Sequence, residues 1–360
     1  MPGTTTMPLL TLVPLPGSAA SVLAQTTQAG VLGLACVGKA PEGLPATLPV
    51  QRIAAPLLSG EASYGEAWQS ALFCLSGDGD GIRYRADANV LFGVLELDEA
   101  AFRSCAGGAV PALQQATKEA YRRIFRLLDA EGYPELWRVW NYLADINVDA
   151  DQPDGLERYR QFNIGRQEAF LASGRLTSGK VPAACALGVR SGPLSIAFMA
   201  GREPAKPLEN PRQISAWDYP DHYGPRAPTF SRGALASFPG QELLFISGTA
   251  SILGHQTVHV GDVAAQVHEA MANIAAVLGE ANRVAKTDTE QRPYALADLS
   301  YRVYVRHAED FATVRSSLLQ SVGAAAEVVY VQADICRADL LVEIEATATR
   351  ALLASSDSSC

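Results

Sequence analysis

Two glutamates close to the carboxy-terminal end, Glu343 and Glu345, stand in the segment DICRADLLVEIEA (residues 334–346) with apolar residues before, between and after them. On an extended strand alternate side chains share a face, so both carboxyls point one way while Val342 and Ile344 point the other. A strand with one wet side presents such glutamates to solvent. A strand packed in a core near Leu340 and Leu341 instead strips water from a carboxyl, raises its pKa and leaves a protonated group able to serve as a general acid. Cys336 is the other reactive side chain of the segment, and a free cysteine there either reacts or packs as a small hydrophobe. The five histidines (His222, His255, His259, His268 and His307) form neither HExxH nor another compact ligand set, so no metal site is expected.

The elements that must position these residues are legible in the periodicity. IRYRADANVLFGVLEL (residues 82–97) reads as strand, bend, strand. Ala120, Ile124, Leu127 and Leu128 share a helical stripe, Pro111 suits a first turn and Gly132 an end, which predicts a helix over 111–130. A strand over 136–147 and a second helix over 154–172, with Asp154 as N-cap, follow. Two strands, in PAACALGVR and LSIAFMAG, flank the turn Ser191-Gly192-Pro193.

The Pro-rich stretch GREPAKPLENPR (201–212) reads as a junction, after which the order recurs. Strands are expected at 234–237 and 243–247 and a helix over 261–278. Next come a strand with Leu299, Tyr301, Val303 and Val305 on one face, a helix over 308–322, and strands at 327–331 and 340–346. The first 60 residues, rich in Pro, Gly, Ala and Thr, show only short apolar runs such as 31–37. The expectation is an α+β chain of two similar halves, 1–200 and 201–350, with a groove between them and a frayed tail over 351–360.

Composition narrows the function classes. The chain has 360 residues, 48% of them hydrophobic, and a net charge of −9 with acids and bases interspersed. That balance argues against a general affinity for nucleic acid or anionic lipid. Six scattered cysteines without a CxxC pair read as free thiols of a reducing compartment. The absence of a basic-then-apolar start and of a long apolar run leads to the expectation of a soluble, cytoplasmic protein.

Three extended motifs carry a resemblance. NPRQISAWDYPDHYGPRAPTFSR (210–232), SGTASILGHQT (247–257) and DICRADLLVEIEA (334–346), in that order, resemble the chorismatases. VEIEATA, the SGTAS turn and the helix beginning near Gly261 are similar to the YjgF/RidA (chorismate mutase-like) fold, here in two copies. The likeness spans about residues 82–346. It implies two YjgF/RidA-like halves, each a mixed sheet with two long helices on one face, and cleavage of the enolpyruvyl ether of chorismate to pyruvate and a hydroxybenzoate. In that family a Glu protonates the terminal methylene of the enolpyruvyl group, and its motif falls on Glu343.

Cys336 lies seven residues ahead of Glu343, where the hydroxybenzoate-forming branch carries a Cys that steers an arene-oxide-like intermediate towards aromatisation. Ala250 occupies the position at which Gly or Ala accompanies different products. The resemblance therefore leaves open 3-hydroxybenzoate alone, a mixture with 4-hydroxybenzoate, and the dihydroxycyclohexadiene carboxylate. A dianionic substrate calls for guanidinium partners. Arg166 in RYRQFNIGRQEAF and Arg232 in PTFSRG are the implied ones, with Arg226 a weaker candidate. Tyr159, Tyr219 and Tyr223 are implied hydrogen-bond donors to the substrate, whereas His255 stays outside the catalytic set.

The reaction implies chorismate as small-molecule partner and no cofactor, because neither hydride nor electron moves. Monomer and homotrimer both remain open. The competing readings are an imine or enamine hydrolase like the small YjgF/RidA proteins and a sensor that retains the pocket without the chemistry.

Overall fold

The computed structural model of the chain describes residues 9–17, 30–103, 110–149, 155–176, 181–220, 223–285 and 292–352. Asp154, the expected helix N-cap, together with His222, Cys105, Cys360 and residues 353–360, lies outside them. The fold is α+β, with two six-stranded mixed sheets of matching order. The first contains β5 (Leu75–Gly79), β6 (Ile82–Ala86), β7 (Val90–Leu97), β8 (Glu135–Ala144), β9 (Ala183–Val189) and β10 (Leu194–Gly201) in the order β5-β6-β7-β10-β8-β9. The second contains β11 (Lys206–Leu208), β12 (Gly233–Phe238), β13 (Gln241–Ala250), β16 (Ser300–Val305), β17 (Glu327–Gln332) and β18 (Val342–Ala351), in the order β11-β12-β13-β18-β16-β17. A two-stranded ribbon, β14 (Ile252–Leu253) and β15 (Gln256–Thr257), interrupts the second series.

Each sheet carries two helices on one face. Helices α1 (Ala112–Glu131) and α2 (Arg158–Ala172) cover the first, burying Tyr121, Ile124, Phe125, Leu128, Phe162 and Phe170 against Leu95, Val139 and Ile196. Gly132 ends α1 in the left-handed conformation at φ 75°, its N–H returning to the carbonyl of Leu128. Helices α3 (Val263–Ala285) and α4 (Phe311–Val322) cover the second sheet with Val267, Met271, Ile274, Val314 and Leu318. Into the same core point Tyr301, Val303 and Val305 of β16 and Val342, Ile344 and Ala346 of β18, the faces that alternation predicts. The third helix runs seven residues beyond the expected end at 278.

The opposite faces of the two sheets turn towards each other. Trp137, Trp140 and Phe92 from the first meet Phe238 and Phe245 from the second, with Trp137 stacked on Phe238 at 6.1 Å and Trp140 edge-on to Phe245 at 6.3 Å. Each such aromatic burial stabilises the pairing by roughly 1.5–3 kcal/mol. The hydroxyls of Tyr142 on β8 and Tyr304 on β16, at matching places in the two sheets, lie 2.6 Å apart. Register makes the match explicit: Ser195 of β10 sits opposite Tyr142, and Glu343 of β18 sits opposite Tyr304.

A third sheet closes one side of this shared core. It contains β1 (Leu10–Pro16), β2 (Val31–Gly38), β3 (Val50–Ile53) and β4 (Ser63–Ser70) in the order β1-β4-β2-β3. Of these the sequence indicated only β2. Leu10, Leu32, Val37, Ile53 and Trp68 join the inter-sheet cluster, and the Leu10 N–H donates to the side-chain oxygen of Gln241 at 2.7 Å. Of the tail expected over 351–360, only Ala351 and Leu352 are among the described residues: Ala351 pairs with Gln241 and the Leu352 N–H donates to the Gly240 carbonyl. No helix among the described residues is long and apolar enough to cross a membrane.

Candidate active site

Glu343 and Glu345 point into the space between the sheets, not to solvent: they are 4% and 5% exposed. Room for the first carboxyl comes from its neighbour strand. Between Ile246 and Thr249 the pairing of β13 with β18 slips, a bulge that places Gly248 over Glu343. A Cβ on Gly248 would stand 1.9 Å from Oε1 of Glu343 and 3.2 Å from Cβ of Cys185. Burial pushes the Glu343 carboxyl up to about 8, with the negative charge of Glu345 adding to the rise and Arg138 and Arg306 opposing it. A group so placed is protonated at neutral pH and water-poor, as a donor of a proton to carbon must be.

Around it lies a cavity of about 290 Å³ between the two halves, near the lower end of the range for small-molecule sites. Glu343, Cys336, Ala250, Arg232, Tyr159, Tyr219 and Tyr223 all line it. Tyr159 arrives from the start of α2 in the first half; the rest come from the second. Burial is the main cause raising the pKa of the Tyr159 phenol, and it lifts the Cys336 thiol to about 12, with the nearby Glu343 carboxyl contributing to each rise. The thiol is therefore protonated, a weak acid and hydrogen-bond donor, not a thiolate nucleophile.

The segment that carries Cys336 is fixed from two sides. Gly188 of β9 and Asp334 exchange backbone hydrogen bonds of 2.7 and 3.0 Å across the halves. From beneath, Arg306 donates to Asp334 Oδ1 at 2.7 Å and to the carbonyls of Ile335, Arg337 and Leu340 at 3.1, 2.9 and 2.7 Å. Arg232 enters the cavity beside the bulge of β13, its backbone carbonyl accepting from the Ser247 N–H at 3.0 Å. The guanidinium donates to the Tyr219 hydroxyl at 2.7 Å and to the Ile214 carbonyl at 2.9 Å, and lies over the Phe230 ring at 5.3 Å. Its Nε has no hydrogen-bond partner among the described residues, which leaves donor capacity for an anion.

Arg166 sits differently. It is 2% exposed, on the buried side of α2, stacked over Phe162 at 5.0 Å and 6.0 Å from the Phe230 ring that forms part of the cavity wall. It is not itself among the lining side chains. Arg226 is exposed and does not line the cavity. His255 takes part through its ring, 3.1 Å from the Tyr223 hydroxyl, and is not a lining residue.

Two cations of the cavity were not singled out from sequence, Arg160 and Arg337. Arg337 lies over the Tyr223 ring at 4.1 Å and the Tyr219 ring at 5.3 Å and donates to the His255 carbonyl at 2.9 Å. It lies inside DICRADLLVEIEA, next to Cys336, so the motif held the signal although periodicity did not.

A family model described as chorismatase FkbO/Hyg5-like, N-terminal, matches residues 66–200, and one described as endoribonuclease L-PSP matches residues 227–350. A chorismatase of Streptomyces rapamycinicus is 42% identical over 289 residues, covering 79% of this chain and 82% of the relative. A 3-hydroxybenzoate synthase of Streptomyces hygroscopicus is 38% identical over 292 residues, covering 78% and 80%. A solved chorismatase structure superposes with a TM-score of 0.82 at 32% identity, over 96% of this chain and all of that one. Identity of this degree over most of both chains, carried by the same fold, makes the protein an enzyme of the chorismatase family.

Proposed function

We propose that the enzyme cleaves the enolpyruvyl ether of chorismate to pyruvate and 3-hydroxybenzoate, with 4-hydroxybenzoate as a second aromatic product. The observation that carries the reading is Glu343, a buried carboxyl raised to about 8 at the wall of a cavity that also holds Arg232 and Arg337. Glu343 gives its proton to the terminal methylene of the enolpyruvyl group. The electron pair of the vinyl double bond forms the new C–H bond and leaves an oxocarbenium ion. In the aromatising branch the neighbouring ring hydroxyl oxygen attacks the ring carbon that bears the ether as that C–O bond breaks. The ether oxygen leaves as the ketone of pyruvate and the hydroxyl proton returns to the Glu343 carboxylate. In the hydrolytic branch water adds instead to the oxocarbenium ion and the resulting hemiketal collapses.

Hydroxybenzoate and pyruvate together contain the atoms of chorismate, so the aromatising branch consumes no net water; the dihydroxycyclohexadiene carboxylate takes up one. Cys336, as a protonated thiol half-buried in the cavity wall, fits the first branch by steering an arene-oxide-like intermediate towards loss of a ring proton. Arg232 binds a substrate carboxylate directly, Arg166 stands behind Phe230 and backs that wall with its positive charge, and Tyr159, Tyr219 and Tyr223 donate to carboxylate or ring hydroxyl. Ala250, paired with Glu343 across β13 and β18, sets the width of the cavity beside the acid.

Incubation of the pure protein with chorismate, with pyruvate assayed enzymatically and the ring products separated by chromatography, tests this. Stoichiometric pyruvate with a hydroxybenzoate is the expected result. No pyruvate, together with hydrolysis of an imine or enamine, overturns it in favour of the RidA-like reaction.

A further inference from the structure

Glu345, two residues beyond Glu343 on the same face of β18, takes no part in the cavity that holds Glu343. It is nonetheless among the most heavily partnered groups in the molecule. Its carboxylate is ion-paired with Arg138 of β8, from the other half of the chain, and with Arg302 of β16 at 3.1 Å, and it accepts from the Tyr304 hydroxyl at 2.9 Å. Arg302 in turn is paired with Glu66 of β4 and donates to the Tyr142 hydroxyl at 3.0 Å. One cluster thus links all three sheets, with Arg138 and Arg302 1% and 5% exposed.

Buried clusters of charge are a poor way to gain stability, since desolvation cancels most of the attraction and apolar replacements often do as well. Two members of the cluster, Glu345 and Arg138, act on the acid. Glu343 is flanked by Glu345 on its own strand, by Arg138 from β8 and by Arg306 from the end of β16. Tyr304 faces it across β16, Cys336 comes from the segment before β18, Tyr159 from α2 and Cys185 from β9. The charges that act on the Glu343 carboxyl are one carboxylate and two guanidiniums, while Arg160, Arg232 and Arg337, with Glu157 and Asp339, line the same cavity.

We propose that Glu345 is a positioning residue for catalysis: its carboxylate, anchored by Arg138 and Arg302, acts through Glu343 by keeping that neighbour protonated and ready to donate, while Arg138 limits the effect. This rests on Glu343 being the acid. The cluster is then a charge balance set across the halves, so that the proton-donating group in the second half depends on an arginine in the first.

The test is the pH dependence of kcat/KM for pyruvate release, whose alkaline limb reports loss of the proton from the free enzyme's acid. With E345Q the limb moves to lower pH by roughly one pH unit, because a repelling charge is gone. With R138Q it moves to higher pH, and R138K restores the position of the native enzyme. A purely structural cluster lowers kcat in all three without moving the limb, and limbs coincident with the native one overturn the proposal. If E345Q does not fold, the direction of the R138Q limb decides alone. E343Q separates the two levels: near-native cleavage in E343Q overturns the acid assignment and this inference with it, whereas an inactive E343Q beside an unmoved E345Q limb overturns this inference only.

Discussion

A methyl group on Gly248 and Oε1 of Glu343 cannot occupy the same protein, because they would be 1.9 Å apart. The carboxyl of the second sheet's central strand lies in space that exists only because the strand beside it bulges at a residue without a side chain. Gly248→Ala is therefore expected to turn the carboxyl out of place while the fold survives, since the bulge already loosens the pairing there. Misplacement on the scale of 1 Å costs roughly 10²-fold in rate. Pyruvate release should fall by that order with an unfolding midpoint close to the native one; a fully active variant would show that the carboxyl position is not critical.

Glu343→Gln preserves shape and removes the proton, so turnover should fall by roughly 10² or more. The active form is the protonated one, which sets the sign of the pH dependence: activity holds below about 8 and declines as pH rises through it. The same group leaves a mark on stability. Between about 4.5, where the unfolded chain releases this proton, and about 8, where the folded one does, the native state binds more protons than the unfolded state. Stability therefore decreases with rising pH over that window, and the Gln variant should lose this component of the slope in denaturant titrations at several pH values.

Cys336→Val keeps an apolar side chain in the cavity wall, adds a methyl group and removes the S–H. Cleavage should continue, and the products, followed by chromatography, should shift from hydroxybenzoate towards the dihydroxycyclohexadiene carboxylate. An unchanged ratio would reduce the thiol to a packing group.

Arg232→Gln removes a charge that lies in the cavity and is already oriented by Tyr219. A charge-assisted contact to a carboxylate is worth more than a neutral one, so KM for chorismate should rise by roughly tenfold or more with a smaller change in kcat. Arg232→Lys keeps the charge but not the fork, and should recover only part of the affinity. Unaltered KM in both would assign carboxylate binding to Arg337 and Arg160.

Much of the scaffold was legible because its cores are one-sided. Ile124, Leu127 and Leu128 on α1 and Tyr301, Val303 and Val305 on β16 face a single helix–sheet layer, and one-sided burial writes a period into sequence. The amino-terminal sheet was not legible beyond β2, because β1 (LTLVPLP) carries two prolines, and β3 and β4 (SYGEAWQS) mix polar and apolar residues against an inter-sheet core. Edge strands β5 (LSGDG) and β11 (KPL) are polar, glycine-bearing or proline-bearing, which suits an exposed edge and hides a strand.

For the site, alternation predicted that Glu343 and Glu345 share a face, and they do; burial of that face could not follow from alternation, because it depends on a second sheet supplied from residues 75–201. The roles of Arg306 and Arg138 are illegible in sequence for the same reason. Nothing in their local sequence says that one staples the Cys336 segment and the other crosses between halves to a glutamate 207 residues away.

The hydroxyl-to-hydroxyl contact of Tyr142 with Tyr304 marks the place where the two repeats mirror one another, and the mirror is imperfect where it matters. A serine stands in the first repeat at the position that bears the acid in the second. One copy has become wall and anchor for its sibling, so each polypeptide should turn over at a single centre and bind one molecule of a substrate analogue at saturation, however many chains assemble.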